Sequence, residues 1–138
     1  MKRLLFSTAP SNVMSGVGLL LLRLGLGGTM LLAHGMGKAG SFNQTAAQFP
    51  DPLGVGSVTS MLLVIFAEFI CAGLVILGLF TRLAAIPLVV TMGVAFLIIH
   101  ALDPFQVKEL AAVYGVGFAT LFFTGPGWIS LDAWFSRR

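Results

Sequence analysis

Charge is what this sequence has least of. Eight Lys or Arg and five Asp or Glu make up 9% of 138 residues. Soluble domains carry about 25% charged residues, so this chain has too few to solvate its whole surface. That excludes an ordinary cytosolic domain and a disordered chain. The pI of 9.6 rests on a net charge of only +3 and no basic patch. The charge therefore reads as membrane topology, and no nucleic-acid partner is expected. A single cysteine, Cys71, excludes an internal disulfide, a CxxC pair and a cysteine-based zinc site. No phosphate loop is present either, since the glycines lie inside apolar runs and not between a strand and a helix.

What the chain has instead is long apolar runs: 57% of it is hydrophobic, with a mean hydropathy of +0.99. A spanning helix needs about 20 such residues. Four stretches qualify, at residues 15–34, 58–79, 83–101 and 107–124. They fill most of the sequence, so the expectation is an all-α membrane protein, a single four-helix transmembrane bundle with no soluble module. Gly78 with Thr81-Arg82 marks a tight turn, and Asp103-Pro104 and Gly125-Pro126-Gly127 mark two further helix ends. In the long first loop, Ser41 starts a segment with Phe42, Ala46 and Phe49 at helical spacing, read as a short interfacial helix, with an irregular loop as the alternative. Lys2 and Arg3 resemble the start of a signal peptide. Leu4-Leu5-Phe6 is too short for its apolar core, so cleavage is not expected.

Lys and Arg in short loops orient the bundle. Lys2, Arg3, Arg82, Arg137 and Arg138 fall on one side, and Lys38 and Lys108 on the other. This expectation puts both termini in the cytoplasm of a bacterial inner-membrane protein, with Trp128 and Trp134 as interfacial anchors. Small residues at Ala111, Gly115 and Ala119, and at Gly18, Gly25, Gly27 and Gly28, allow close helix packing within one bundle or a homo-oligomer.

Two charges lie inside the apolar runs, Arg23 and Glu68. Each costs at least about 2.5–3.5 kcal/mol at the bilayer centre on insertion scales. At ~1.5 Å per residue, Arg23 lies about 16 Å below His34 and Glu68 about 15 Å below Val58. Equal depth on antiparallel spans suggests an Arg23–Glu68 ion pair. That pair is either a register-fixing salt bridge or the polar centre of a ligand site or proton relay. Arg23, Gly27, Met30 and His34 share a face of span one, and Glu68, Cys71 and Val75 share a face of span two. His34, His100, Lys38, Asp103, Lys108 and Glu109 gather near the outer rim. Two histidines with Asp103 match no strong metal motif, so no metal is expected. A polar head with an apolar tail suits the cluster better. A quinone has that shape, because its ring carbonyls need donors and its tail needs an apolar groove.

At these residues the sequence resembles the DoxX family of small four-span bacterial membrane proteins. The matching segments are Arg23-Leu24-Gly25, Ala33-His34-Gly35 with Lys38, and Glu68 with Gly73. They continue through residues 77–85 (LGLFTRLAA), His100, Gly125-Pro126-Gly127 and Ser130-Leu131-Asp132. The resemblance implies a four-helix membrane bundle and a link to redox physiology. The family is similar to the small membrane subunit of thiosulfate:quinone oxidoreductase. It singles out Arg23, His34, Lys38, Glu68, Arg82 and His100. The expected function is therefore a quinone-associated subunit or accessory factor of a membrane oxidoreductase, with redox proteins as partners and the lipid bilayer as its solvent. The ligand would be held by Arg23, His34, Lys38, Glu68 and His100. Two alternatives stand beside it, a non-enzymatic scaffold and an oligomeric channel for a small solute. A dithiol chemistry is disfavoured by the single cysteine.

Overall fold

Inside a bilayer each backbone N–H and C=O must be bonded within its own segment, which makes a long apolar run helical. The computed structural model describes residues 13–137. It contains four helices long and apolar enough to span: α1 (Val13–Gly40), α3 (Ser57–Leu77), α4 (Thr81–Ile99) and α5 (Phe105–Thr124). A short α2 (Phe42–Thr45), continued by one 3₁₀ turn at Ala46–Gln48, follows α1, and α6 (Leu131–Ser136) closes the chain. No strand occurs among the described residues. The N-terminal segment with Lys2 and Arg3, on which the expectation of no cleavage rests, and Arg138 lie outside the described residues.

The short helix in the first loop forms as expected, with Ala46 buried and Phe42 and Phe49 half-buried. The largest boundary difference is in α1, which continues to Gly40 and does not stop at His34. The segment after His34 contains Gly35 and Gly37, yet glycine is common inside membrane helices, where neighbours and the absence of competing water keep the ladder intact.

The four spans alternate in direction, so the bundle has an Arg82 end and a His100 end. The turn from α3 to α4 explains its residues. Gly78 adopts the left-handed region (φ 67°). Its N–H reaches Val75 O at 3.1 Å while Leu79 N–H reaches Leu74 O at 2.9 Å. This is a Schellman closure, and it needs a residue without a Cβ penalty. Asp132, fully buried, then accepts the N–H groups of Phe80 (2.8 Å) and Thr81 (3.0 Å) at the start of α4. Its own N–H donates to Gly78 O. The C-terminal segment is thereby pinned to the α3–α4 turn. Arg82 donates to Phe123 O near the C-terminus of α5, where helix carbonyls lack partners.

Met30, Cys71, Val75, Leu88, Met92, Phe118 and Leu121 form the buried core. Leu21, Leu63, Val90 and Val116 point outward, the arrangement lipid requires. Among the described residues, Gly27 alone of the glycines expected at helix contacts in α1 makes one, against Ile76 and Ala72; Gly18, Gly25 and Gly28 meet none of them. Two others do the work instead, Gly16 beneath Trp128 and Gly35 against the Glu68 backbone carbonyl. Trp128 is thus packed on α1, while Trp134 remains exposed as an anchor would be.

A Cβ on Gly35 would occupy the space of the Glu68 carbonyl carbon and oxygen. Backbone cannot step aside as a side chain can. Gly35→Ala is expected to lower stability by about 1–3 kcal/mol, the usual cost of overpacking. The same change at Gly28, which faces open space, should be near neutral. Thermal unfolding of both variants in detergent checks the contrast.

Candidate functional site

Three of the four spanning helices carry a π-helical stretch: Leu31–Gly35 in α1, Phe66–Cys71 in α3 and Ala95–Ile99 in α4. Such widened turns are uncommon and cluster at functional sites. Here they surround one region. The first contains His34, the second Glu68, and the third runs directly into His100.

The ion pair in this region is Lys38–Glu68. The expected Arg23–Glu68 pair does not form. Gly27 packs on Ala72 and Ile76, and Gly35 on Glu68. That register places Arg23 beside Gly78, at the far end of α3. Side-chain direction reinforces it. A helical side chain leans toward the N-terminus of its own helix. Arg23 on α1 therefore leans toward the Arg82 end, whereas Glu68, on a helix running the other way, leans toward the His100 end. Lys38, at the far end of α1, leans back into the bundle and meets it. Glu68 is buried and Lys38 about a quarter exposed. Arg23 instead donates through Nη2 to Ile129 O, lies within Coulombic reach of Asp132, and is 1% exposed.

Two cavities meet at the Lys38–Glu68 pair. One is a chamber of about 210 Å³ inside the bundle, lined by His34, Lys38, Glu68, His100 and Tyr114 with Met30 and Met92 at its floor. His34 sits edge-on to Tyr114 (6.0 Å between centroids), and Tyr114 stacks on Phe118. The other is a groove of about 420 Å³ between α3 and α4. Its walls are apolar, including Leu63, Phe66, Val90 and Val94, and Phe49, Pro50, Pro52 and Leu53 roof it. Lys38, Glu68 and His100 line both spaces, so they partition the groove from the chamber.

The roof is held by Asp51. Its carboxylate accepts the Ser60 hydroxyl (2.7 Å) and the N–H groups of Gly56 (2.8 Å) and Val55 (3.0 Å). These bonds, the Ser60 hydroxyl first, hold its carboxyl below the usual carboxylate range, so it stays ionised at neutral pH and keeps the loop fastened to the start of α3. On the outer surface, His100 Nδ1 lies 2.7 Å from Asp103 Oδ2. Lys108 donates to Ala101 O and sits over the Phe96 ring. Among the described residues no group of three metal-ligating side chains occurs.

Four of the five expected site residues thus converge: His34, Lys38, Glu68 and His100. Arg23 and Arg82 belong to the opposite end. Tyr114 and the Phe49–Leu53 roof were not anticipated. A tyrosine in the middle of an apolar span was the available signal for the first; the roof required knowing where the loop folds back.

A family model described as DoxX matches residues 18–101. An uncharacterized membrane protein of Mycobacterium tuberculosis is 30% identical over 159 aligned positions, covering 99% of this chain and 88% of the relative. No solved structure matches.

Proposed function

This chain belongs to the DoxX family, and from that premise we propose that it binds a quinone-like ligand as a small subunit or accessory factor of a membrane redox system. The observation that carries the reading is the charged and imidazole-bearing partition standing at the inner end of an apolar, lipid-accessible groove. A volume of about 420 Å³ falls in the range of ~300–1,000 Å³ typical of small-molecule sites. A ring head at the partition meets the Lys38 ammonium and the His100 imidazole, both able to donate to ring oxygens. An apolar tail lies along Leu63, Phe66 and Val90 and leaves into lipid. Such a ligand supplies electron and proton transfer at its ring. The chain's own residues bind the head, orient it and exchange protons with it. A purely structural ion pair needs neither the groove nor the chamber.

The same reading places the Arg82 end in the cytoplasm of a bacterial inner membrane. Arg82 and the α6 terminus bearing Arg137 share that end, in keeping with the sequence bias of positive charge.

The test is mass spectrometry of lipids copurifying with the full-length protein, with His100→Ala and Glu68→Gln beside it. A stoichiometric quinone in the wild type that is lost from both variants is the expected result. Bulk phospholipid alone, equal in all three samples and unchanged when a short-chain quinone is titrated into the protein, overturns the reading.

A further inference from the structure

Lys38, Glu68 and His100 wall two largely apolar spaces, of which the chamber adds two further polar side chains. On the groove side they face apolar surface. On the chamber side they face His34 and Tyr114 around about 210 Å³. A bound water needs about 10–15 Å³ of such volume and two to four polar partners; the chamber exceeds the volume several times over, and its five polar side chains supply the partners. Past the chamber, His100 Nδ1 meets Asp103 Oδ2 at 2.7 Å, with the two side chains 35% and 46% exposed. Glu68 and His100 thus line one hydratable cavity, and His100 is bonded to a carboxylate that is nearly half exposed. The other direction is closed. Val75, Leu88, Phe118 and Leu121 are completely buried below the chamber, and Arg23 is engaged by Ile129 O beneath them.

We infer that His100 and Asp103 form the proton port of this site, carrying protons between Glu68 and the aqueous face at the His100 end. The inference rests on the reading of the groove as a site for a hydroxyl- or carbonyl-bearing ring. When a ligand hydroxyl gives up its proton, the O–H bond breaks and its electron pair stays on the ligand oxygen. The Glu68 carboxylate forms the new O–H bond. Lys38, no longer facing a carboxylate, faces the ligand oxyanion instead, so the partition and ligand together keep their net charge and no electron moves. Glu68 then hands the proton through the chamber to Nε2 of His100. The Asp103 carboxylate holds Nδ1–H, which makes Nε2 the acceptor and stabilises the imidazolium that forms. The imidazolium returns a proton to bulk water, and uptake runs in reverse. The charged and titratable groups around His100 are Lys38 and His34 from α1, Glu68 from α3, Tyr114 and Lys108 from α5, and Asp103. Of these, Asp103 alone is hydrogen-bonded to its ring among the described contacts. His34 has no such link to the surface and packs on Tyr114.

The probe is a 2-hydroxy-3-alkyl-1,4-naphthoquinone, whose colour changes on deprotonation. It is bound to the full-length protein in lipid nanodiscs, with empty nanodiscs as the blank. Stopped-flow absorbance after a jump of external pH reads the rate at which bound probe changes protonation, and equilibrium titration reads its affinity. Asp103→Asn should leave affinity unchanged and slow the colour change about tenfold or more, within the range for loss of a positioned proton-transfer group. His100→Ala, which binds more weakly and is therefore read at a probe concentration raised to its own saturation, should slow it as well, and imidazole added to the medium should restore the rate. Equal rates in wild type and Asp103→Asn overturn the port, as does a slow His100→Ala that imidazole leaves slow. Failure of the wild type to bind the probe overturns the ligand reading itself, and the port with it. The affinity and the rate thus separate the two.

Discussion

Asp132→Ala is expected to destabilise the bundle by about 3–5 kcal/mol, the cost of removing one member of a buried charged network. Asp132 is fully buried and accepts the Phe80 and Thr81 N–H groups that open α4. Each hydrogen bond to a charged group contributes about 1.5–3 kcal/mol. Alanine leaves both amides without their acceptor and deprives the buried Arg23 guanidinium of its opposing charge. Among the described residues Arg23 finds no alternative, because its Nε and Nη1 meet no hydrogen-bond partner there and Gly78 lies directly over Nη1. Asp132→Asn keeps the shape and one acceptor, and should lose clearly less. Unfolding in a graded detergent series measures the difference. A loss below about 1 kcal/mol for alanine, the level of an exposed pair, would show that the C-terminal segment is not what secures the α3–α4 turn.

The second large effect is an asymmetry within the Lys38–Glu68 pair. Lys38→Met strands a buried carboxylate and is expected to cost about 3 kcal/mol or more at neutral pH. Glu68→Gln should cost much less, because the partly exposed lysine stem extends toward water at the His100 end. The double variant should be milder than Lys38→Met alone, with a coupling energy of about 0.5–3 kcal/mol. Arg23 and Glu68, which the register separates, should be additive within about 0.5 kcal/mol. Coupling between Arg23 and Glu68 as large as that between Lys38 and Glu68 would refute the register itself. Ligand copurification measured on the same proteins should fall for each partition variant whatever its stability, which separates binding from folding.

Several features of this protein were legible without coordinates. The four spans follow from apolar length and the obligation of backbone groups to bond internally. The α3–α4 turn follows from Gly78, whose left-handed backbone no other residue adopts as easily. The faces that carry Met30 with His34, and Glu68 with Cys71 and Val75, follow from helical periodicity and are the inward faces found. Glu68 stood out because a charge in an apolar span is costly, and His34, Lys38 and His100 because they gather at one end of the spans; the structure brings these four together around one cavity.

Pairing was a different matter. Depth counted from assumed helix ends put Arg23 opposite Glu68, but α1 runs on to Gly40, and glycine contacts at positions 27 and 35 slide it along α3. Side chains then lean toward their own N-termini, so residues on antiparallel helices diverge or converge according to which end they occupy. Arg23 diverged toward Ile129 and Asp132; Lys38 converged on Glu68. The roof of the groove, the shared walls of the two cavities and the Asp132 latch likewise join residues far apart in the chain. The sequence by itself determined the class of molecule and which side chains are too polar to be idle, because both depend on local composition against the solvent. Which of those side chains meet was decided by helix register and tilt, quantities set by the sum of contacts along whole helices and by no residue alone.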